Sequence, residues 1–117
     1  MQFLVIGKDG TDKDAMSRTL AARQDHLALG DKMEASSERL YGCVILDDNG
    51  TMIGSMAVLD FPSEKELQEY LKKEPYIVGK VWQTIEVSQC NVKKPWKFNR
   101  PQSFFEERKL ASVNRRG

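Results

Sequence analysis

Apolar residues gather in four short continuous runs and two longer periodic stretches. Phe3-Leu4-Val5-Ile6 is apolar throughout and closes at Gly7 and the turn-rich KDGTDKD, which predicts a buried first strand. Across residues 14–38 the spacing becomes helical, with Met16, Leu20 and Leu27 on one face and Arg18, Arg23 and Lys32 at polar positions. Gly30 is expected to loosen or kink that helix. Residues 40–46 and 52–61 are two further strand-like runs. Asp47-Asp48-Asn49-Gly50 between them predicts a hairpin, because both Asn49 and Gly50 tolerate positive φ. The acidic loop lacks the spacing and the terminal Glu of a calcium-binding EF-hand.

Ser63-Glu64-Lys65-Glu66 fits a capping box, with Ser63 as N-cap and Glu66 reaching back. Leu67, Tyr70 and Leu71 form the apolar stripe of the short helix that follows, and Glu74-Pro75-Tyr76 ends it. A last strand is expected over residues 81–90, with Val81, Ile85 and Val87 on one side and Trp82, Thr84 and Glu86 on the other. The order β-α-β-β-α-β predicts an α+β, ferredoxin-like domain with a four-stranded antiparallel sheet. Two helices cover one face of such a sheet. The strands do not alternate apolar with polar as a water-facing second face requires. A second copy of the sheet is the simplest cover, so the pattern predicts a homodimer packed sheet to sheet, with a partly enclosed space between or beside the sheets for a small molecule.

Composition adds limits. A chain of 117 residues, 40% hydrophobic and 30% charged, fits one soluble domain with a modest core. No apolar run approaches the ~20 residues that span a bilayer, and the first residues read as strand rather than as a secretory leader. No membrane association is expected, and the default compartment is the cytoplasm. Cys43 and Cys90 are expected as reduced thiols, and one histidine with two distant cysteines predicts no metal site. No cofactor motif is present. The net charge of +1 hides an asymmetry: residues 91–117 hold eight basic side chains against two acidic, and the body before them is acidic. Residues 93–117 therefore read as a basic extension to a domain over residues 1–92. Trp96 and Phe98 within it could serve single-stranded nucleic acid, although an arm pressed onto the acidic body or a dimer mate is the simpler reading, and nucleic acid is not an expected partner. Ser103-Phe104-Phe105-Glu106 could open a short terminal helix.

Several stretches together resemble the YciI-like (YCII-related) family of the dimeric α+β barrel superfamily. They are Arg23-Gln24-Asp25-His26-Leu27, the hairpin Asp47-Asp48-Asn49-Gly50-Thr51-Met52-Ile53-Gly54-Ser55, Glu74-Pro75-Tyr76 with Gly79, and Val81-Trp82-Gln83-Thr84-Ile85-Glu86-Val87. The match runs in continuous order over roughly residues 1–92. The resemblance implies a dimer of ferredoxin-like subunits and an active site around the histidine of R-x-x-H and the acidic residue before Pro-Tyr, which are His26 and Glu74 here. The family more often has aspartate before that proline. Glutamate keeps the carboxylate and reaches one methylene further. A dehydrochlorinase acting on a chlorinated hydroxyquinol-type aromatic is among the family's reactions, so the resemblance also implies lyase- or isomerase-type acid–base chemistry on a small aromatic or carbonyl compound.

His26 is the only histidine. It shares a helix face with Thr19, Ala22, Arg23, Leu29, Gly30 and Met33, which places the ring at the border of the buried stripe. A satisfied structural histidine and a proton-transfer group both fit that position. Gly30, one turn on, removes bulk beside the ring. With Glu74 as partner, one ring N–H is held by the carboxylate and the other nitrogen exchanges a proton with substrate. Arg23 could bind an anionic substrate group or pair with Asp25 or Glu34. Ser55 could hydrogen-bond a ligand or satisfy backbone, and no base partner marks it as a nucleophile. Tyr76 and Trp82 could line a pocket or simply fill core. A domain that only binds a ligand through His26, and a dimerisation scaffold whose basic arm binds a partner, remain as alternatives.

Overall fold

The computed structural model describes residues 1–93. The chain runs β1 (Gln2–Asp9), α1 (Ala15–Ala35), β2 (Arg39–Leu46), β3 (Met52–Asp60), α2 (Glu64–Lys73), α3 (Pro75–Val78) and β4 (Trp82–Cys90). The ferredoxin-like order holds, with α3 as one added helical turn. The sheet order is β2-β3-β1-β4 and all three pairings are antiparallel. The basic extension, with Trp96, Phe98 and the helix start expected at Ser103, lies outside the described residues. No helix among the described residues is long and apolar enough to cross a membrane.

Register explains why the strands fail to alternate. Phe3, Val5 and Gly7 pair with Leu59, Ala57 and Ser55 on the side the helices cover. Leu4 and Ile6 pair with Val58 and Met56 on the opposite side, where these four apolar residues stay half-buried under no helix. The covered side holds the core: Val5, Leu59, Leu67 and Val81 are almost fully sealed from solvent. Burying a side chain of this size contributes roughly 1.5–3 kcal/mol.

Helix α1 differs from its expected pattern in three ways. First, Met16, Leu20 and Leu27 are exposed, and the buried positions are Thr19, Gly30 and Met33, with Ala22 and Leu29 packed against the core. The inward face is the one His26 shares, and it carries the small residues Thr19, Ala22 and Gly30 where α1 lies against α3 and β2. Second, the helix passes through Gly30 without interruption. Third, it stops at Ala35 in a Schellman motif: Ser37 takes a left-handed φ of 64°, its N–H donates to the Glu34 carbonyl, and the Glu38 N–H donates to the Met33 carbonyl. Serine holds the place where glycine usually marks a helix end, so the pattern ran on. At the other end Arg18 forks onto both carboxylate oxygens of Asp12, at 2.8 and 2.6 Å, and this guanidinium holds the Asp12 carboxyl down at about 2.

The hairpin forms where expected, with one change. Only Gly50 takes positive φ (80°), and Asn49 does not. Asp47 organises the loop instead, its Oδ1 accepting from the N–H groups of Asn49 and Thr51. Ser63 is the N-cap of α2, but its hydroxyl donates to the Glu66 carboxylate and bonds no backbone N–H, so the reciprocal capping box is not made.

Candidate active site

The site begins at the break between α2 and α3. Glu74 precedes Pro75 and so takes an extended ψ of 120°, which ends α2, while Pro75 opens α3 at a position where its missing N–H costs nothing. The proline thus starts a helix as well as ending one. Glu74 itself is 2% exposed. Its carboxylate is held by three donors: the ring Nδ1 of His26, the Tyr70 hydroxyl at 2.8 Å to Oε2, and the Tyr76 backbone N–H at 3.2 Å to Oε1. A buried carboxylate without such partners would cost several kcal/mol, and here each oxygen is engaged. Burial first, and then the Glu74 charge beside it, pushes the Tyr70 hydroxyl far above the ordinary tyrosine range.

His26 reaches this carboxylate from α1, and two aromatic rings fix its plane. Tyr76 stacks on the imidazole with centroids 3.7 Å apart and planes 6° from parallel, and Trp82 meets it edge-on at 5.9 Å. Trp82 lies on the helix-covered face rather than beside Thr84 and Glu86. The β1–β4 register shifts between Lys8 and Asp9, so that Lys8 pairs with Thr84 but Asp9 with Trp82. The extra residue, Gln83, turns Trp82 over. Its indole then lies across Gly7, where any Cβ would fall inside the ring.

Nδ1 is committed to Glu74, and Nε2 makes no hydrogen bond and is not sealed. The ring borders a cavity of about 290 Å³ between α1 and the β2–β3 half of the sheet, whose wall also includes Arg39, Ser55, Tyr70, Glu74 and Trp82. The cavity lies on the helix-covered side. Of the residues singled out beforehand, the structure brings His26, Glu74 and Tyr76 into contact and sets Ser55 in the cavity wall. Arg23 is exposed on α1, outside that wall, and pairs with neither Asp25 nor Glu34. The residue paired with Glu34 is Arg39.

Arg39 and Tyr70 escaped the sequence reading. Tyr70 could have been found, because it stands one helical turn before Glu74, the residue that caps the same helix. Arg39 gave no local signal. Its guanidinium fits because two glycines from different elements, Gly30 on α1 and Gly42 on β2, leave it space. Among the described residues no three metal-ligating side chains come together.

The YCII-related domain matches residues 1–91. Among solved structures, 5-chloro-2-hydroxyhydroquinone dehydrochlorinase from Burkholderia phenoliruptrix AC1100, determined in complex with 2,5-dihydroxybenzoquinone, is similar with a TM-score of 0.66 and 20% identity, over 80% of this chain and 97% of that one. Rv0793 from Mycobacterium tuberculosis is similar with a TM-score of 0.52 and 16% identity, over 80% of this chain and 99% of that one. At these identities the likeness establishes the fold, and the ferredoxin-like α+β architecture read from the sequence is borne out. No curated protein matches the sequence.

Proposed function

Because the chain belongs to the YCII-related domain family, we propose that it is a cofactor-independent acid–base enzyme acting on a small aromatic or carbonyl compound, with His26 as the proton-transfer group and Glu74 as its holder. One observation carries this reading: the imidazole is tied at Nδ1 to a buried carboxylate, and the ring, with Nε2 left unbonded, borders a cavity. Glu74 fixes the tautomer with the proton on Nδ1 and stabilises the imidazolium once Nε2 has taken a proton. Nε2 then removes a proton next to a carbonyl or enol oxygen and returns it at a different atom, or the electron pair left behind expels a leaving group such as chloride. Enolisation and elimination share this first step. Support for the substrate class comes from the reaction and the ligand in the name of the dehydrochlorinase neighbour, and Ser55 in the wall supplies a hydroxyl for a substrate oxygen.

Solvent deuterium exchange tests the shared step directly. Incubated in D2O with 2,5-dihydroxybenzoquinone, the protein is expected to accelerate loss of the ring C–H signal in proton NMR. His26→Ala and Glu74→Gln should each lose ~10²–10⁴-fold of that acceleration. Equal exchange with and without the wild-type protein overturns the reading.

The same reading includes a homodimer. Leu4, Ile6, Met56 and Val58 form an apolar patch on the face without helices, and a second copy of that face is its cover. Sedimentation should give twice the chain mass for the wild type and a single chain mass for Val58→Glu. A wild-type protein that sediments as one chain removes the dimer.

A further inference from the structure

Arg39 is an unusual cation. Its side chain is about one-quarter exposed, and the guanidinium lies against Gly30 and Gly42, both of which line the cavity. It makes no hydrogen bond among the described residues. Nε is sealed without an acceptor, while the two Nη atoms keep open surface. Its one carboxylate neighbour among the described residues, Glu34, stands 3.8 Å from Nε on a side chain that is mostly exposed. An exposed pair at that separation contributes less than about 1 kcal/mol. Such a pair does not account for a guanidinium seated in a slot cut by two glycines.

The acid within the cavity wall is already engaged. Glu74 accepts from His26, Tyr70 and Tyr76, and it makes no ion pair or hydrogen bond with Arg39. The cavity therefore holds a surplus of donors: a fork of guanidinium N–H groups and the Ser55 hydroxyl, with the imidazole Nε2 as the free base. A planar fork of this kind matches an oxyanion, which it can take with two parallel hydrogen bonds.

We infer that Arg39 is the anion-recognition residue of this site, and that the ligand is a small planar oxyanion, an enolate, phenolate or carboxylate, whose charged oxygen docks on the guanidinium while its carbon skeleton lies toward His26. This deepens the acid–base reading and rests on it for the direction of the ligand. A cation at that place also gives the chemistry a purpose: negative charge that develops on oxygen when Nε2 takes a proton from carbon is met by a preplaced positive group.

Titration calorimetry with two probes tests the assignment. One is 2,5-dihydroxybenzoquinone, an anion at neutral pH, and the other is its uncharged dimethyl ether. The wild type should bind the anion at least tenfold more tightly than the ether. Arg39→Gln should abolish that preference by weakening the anion alone, and Arg39→Lys should restore part of it. Gly42→Ala keeps the charge but puts a methyl where the guanidinium lies, so it should lose the preference too and covers the case in which Arg39→Gln folds poorly. His26→Ala should keep the preference, which separates this test from proton exchange: exchange can fail while anion binding through Arg39 stands. An unchanged preference in both Arg39→Gln and Gly42→Ala overturns the inference, as does a wild type that binds neither probe or binds both equally.

Discussion

In the wall of one cavity the Glu74 carboxylate is buried and takes hydrogen bonds from three donors; in the same wall the Arg39 guanidinium has none among the described residues. Glu74 is withdrawn from water and Arg39 only partly so, and the protein treats the two charges in opposite ways. The Glu74 half is finished by folding alone, so the imidazole has one tautomer and one orientation before any ligand arrives. The Arg39 half is finished only by something that carries acceptors. Under the proposed function, a preorganised base beside an open cation is the division expected of a site that holds its catalyst rigidly and reserves its open donors for the substrate.

The largest break in this contrast is Glu74→Ala. It strands the Tyr70 hydroxyl and the Tyr76 N–H in the interior and frees the imidazole to turn. Each buried donor left without an acceptor costs roughly 1–3 kcal/mol, so a loss of about 3 kcal/mol is expected in the midpoint of urea unfolding. Arg39→Ala, by contrast, removes a charge whose one carboxylate partner among the described residues is the exposed Glu34, and stability should change by less than about 1 kcal/mol. A larger loss for Arg39→Ala than for Glu74→Ala would reverse the assignment of the two halves.

The two halves were also unequally visible in the sequence. Four strands, two helices and the acidic hairpin follow from apolar runs and turn residues, and His26 with Glu74 follows from stretches that resemble a family. What stayed hidden depends on contacts between distant elements. Met16, Leu20 and Leu27 have the spacing of a buried stripe, yet α1 turns its small residues inward because α3 lies close against it, near enough that a Cβ on Gly79 would stand 3.3 Å from the Cβ of Ala22. Trp82 crossed the sheet because one extra residue shifted the β4 register. Arg39 is a polar residue at the start of a strand, and only the meeting of Gly30 with Gly42 makes it part of the site.

An intermediate effect comes from alkaline pH. Burial and the Glu74 charge raise the Tyr70 hydroxyl above its usual value of 10. Above that pH the unfolded chain releases a proton that the folded one keeps, so this group's contribution is complete below pH 10 and falls as pH rises, by up to ~1.4 kcal/mol per unit. Tyr76, raised by its own burial, adds in the same sense. Tyr70→Phe should cost about 1 kcal/mol at neutral pH through the lost hydrogen bond and flatten the alkaline slope. An unchanged slope in Tyr70→Phe would mean that the hydroxyl is not held by Glu74 in solution.

The smallest effect on stability separates the halves most cleanly. Gly30 sits inside α1, where alanine favours the helix by up to about 1 kcal/mol. The single atom near the new methyl is Nη1 of Arg39, with the rest of the guanidinium beyond, and this is the end of a flexible side chain that can swing away. Gly30→Ala should therefore raise the urea midpoint slightly while displacing the guanidinium and weakening the preference for the anionic probe. Stability would rise as recognition falls, since the glycine is retained for the space it leaves and not for the helix it weakens. A variant that is more stable and still prefers the anion as strongly would show that the slot between Gly30 and Gly42 does not set the position of Arg39.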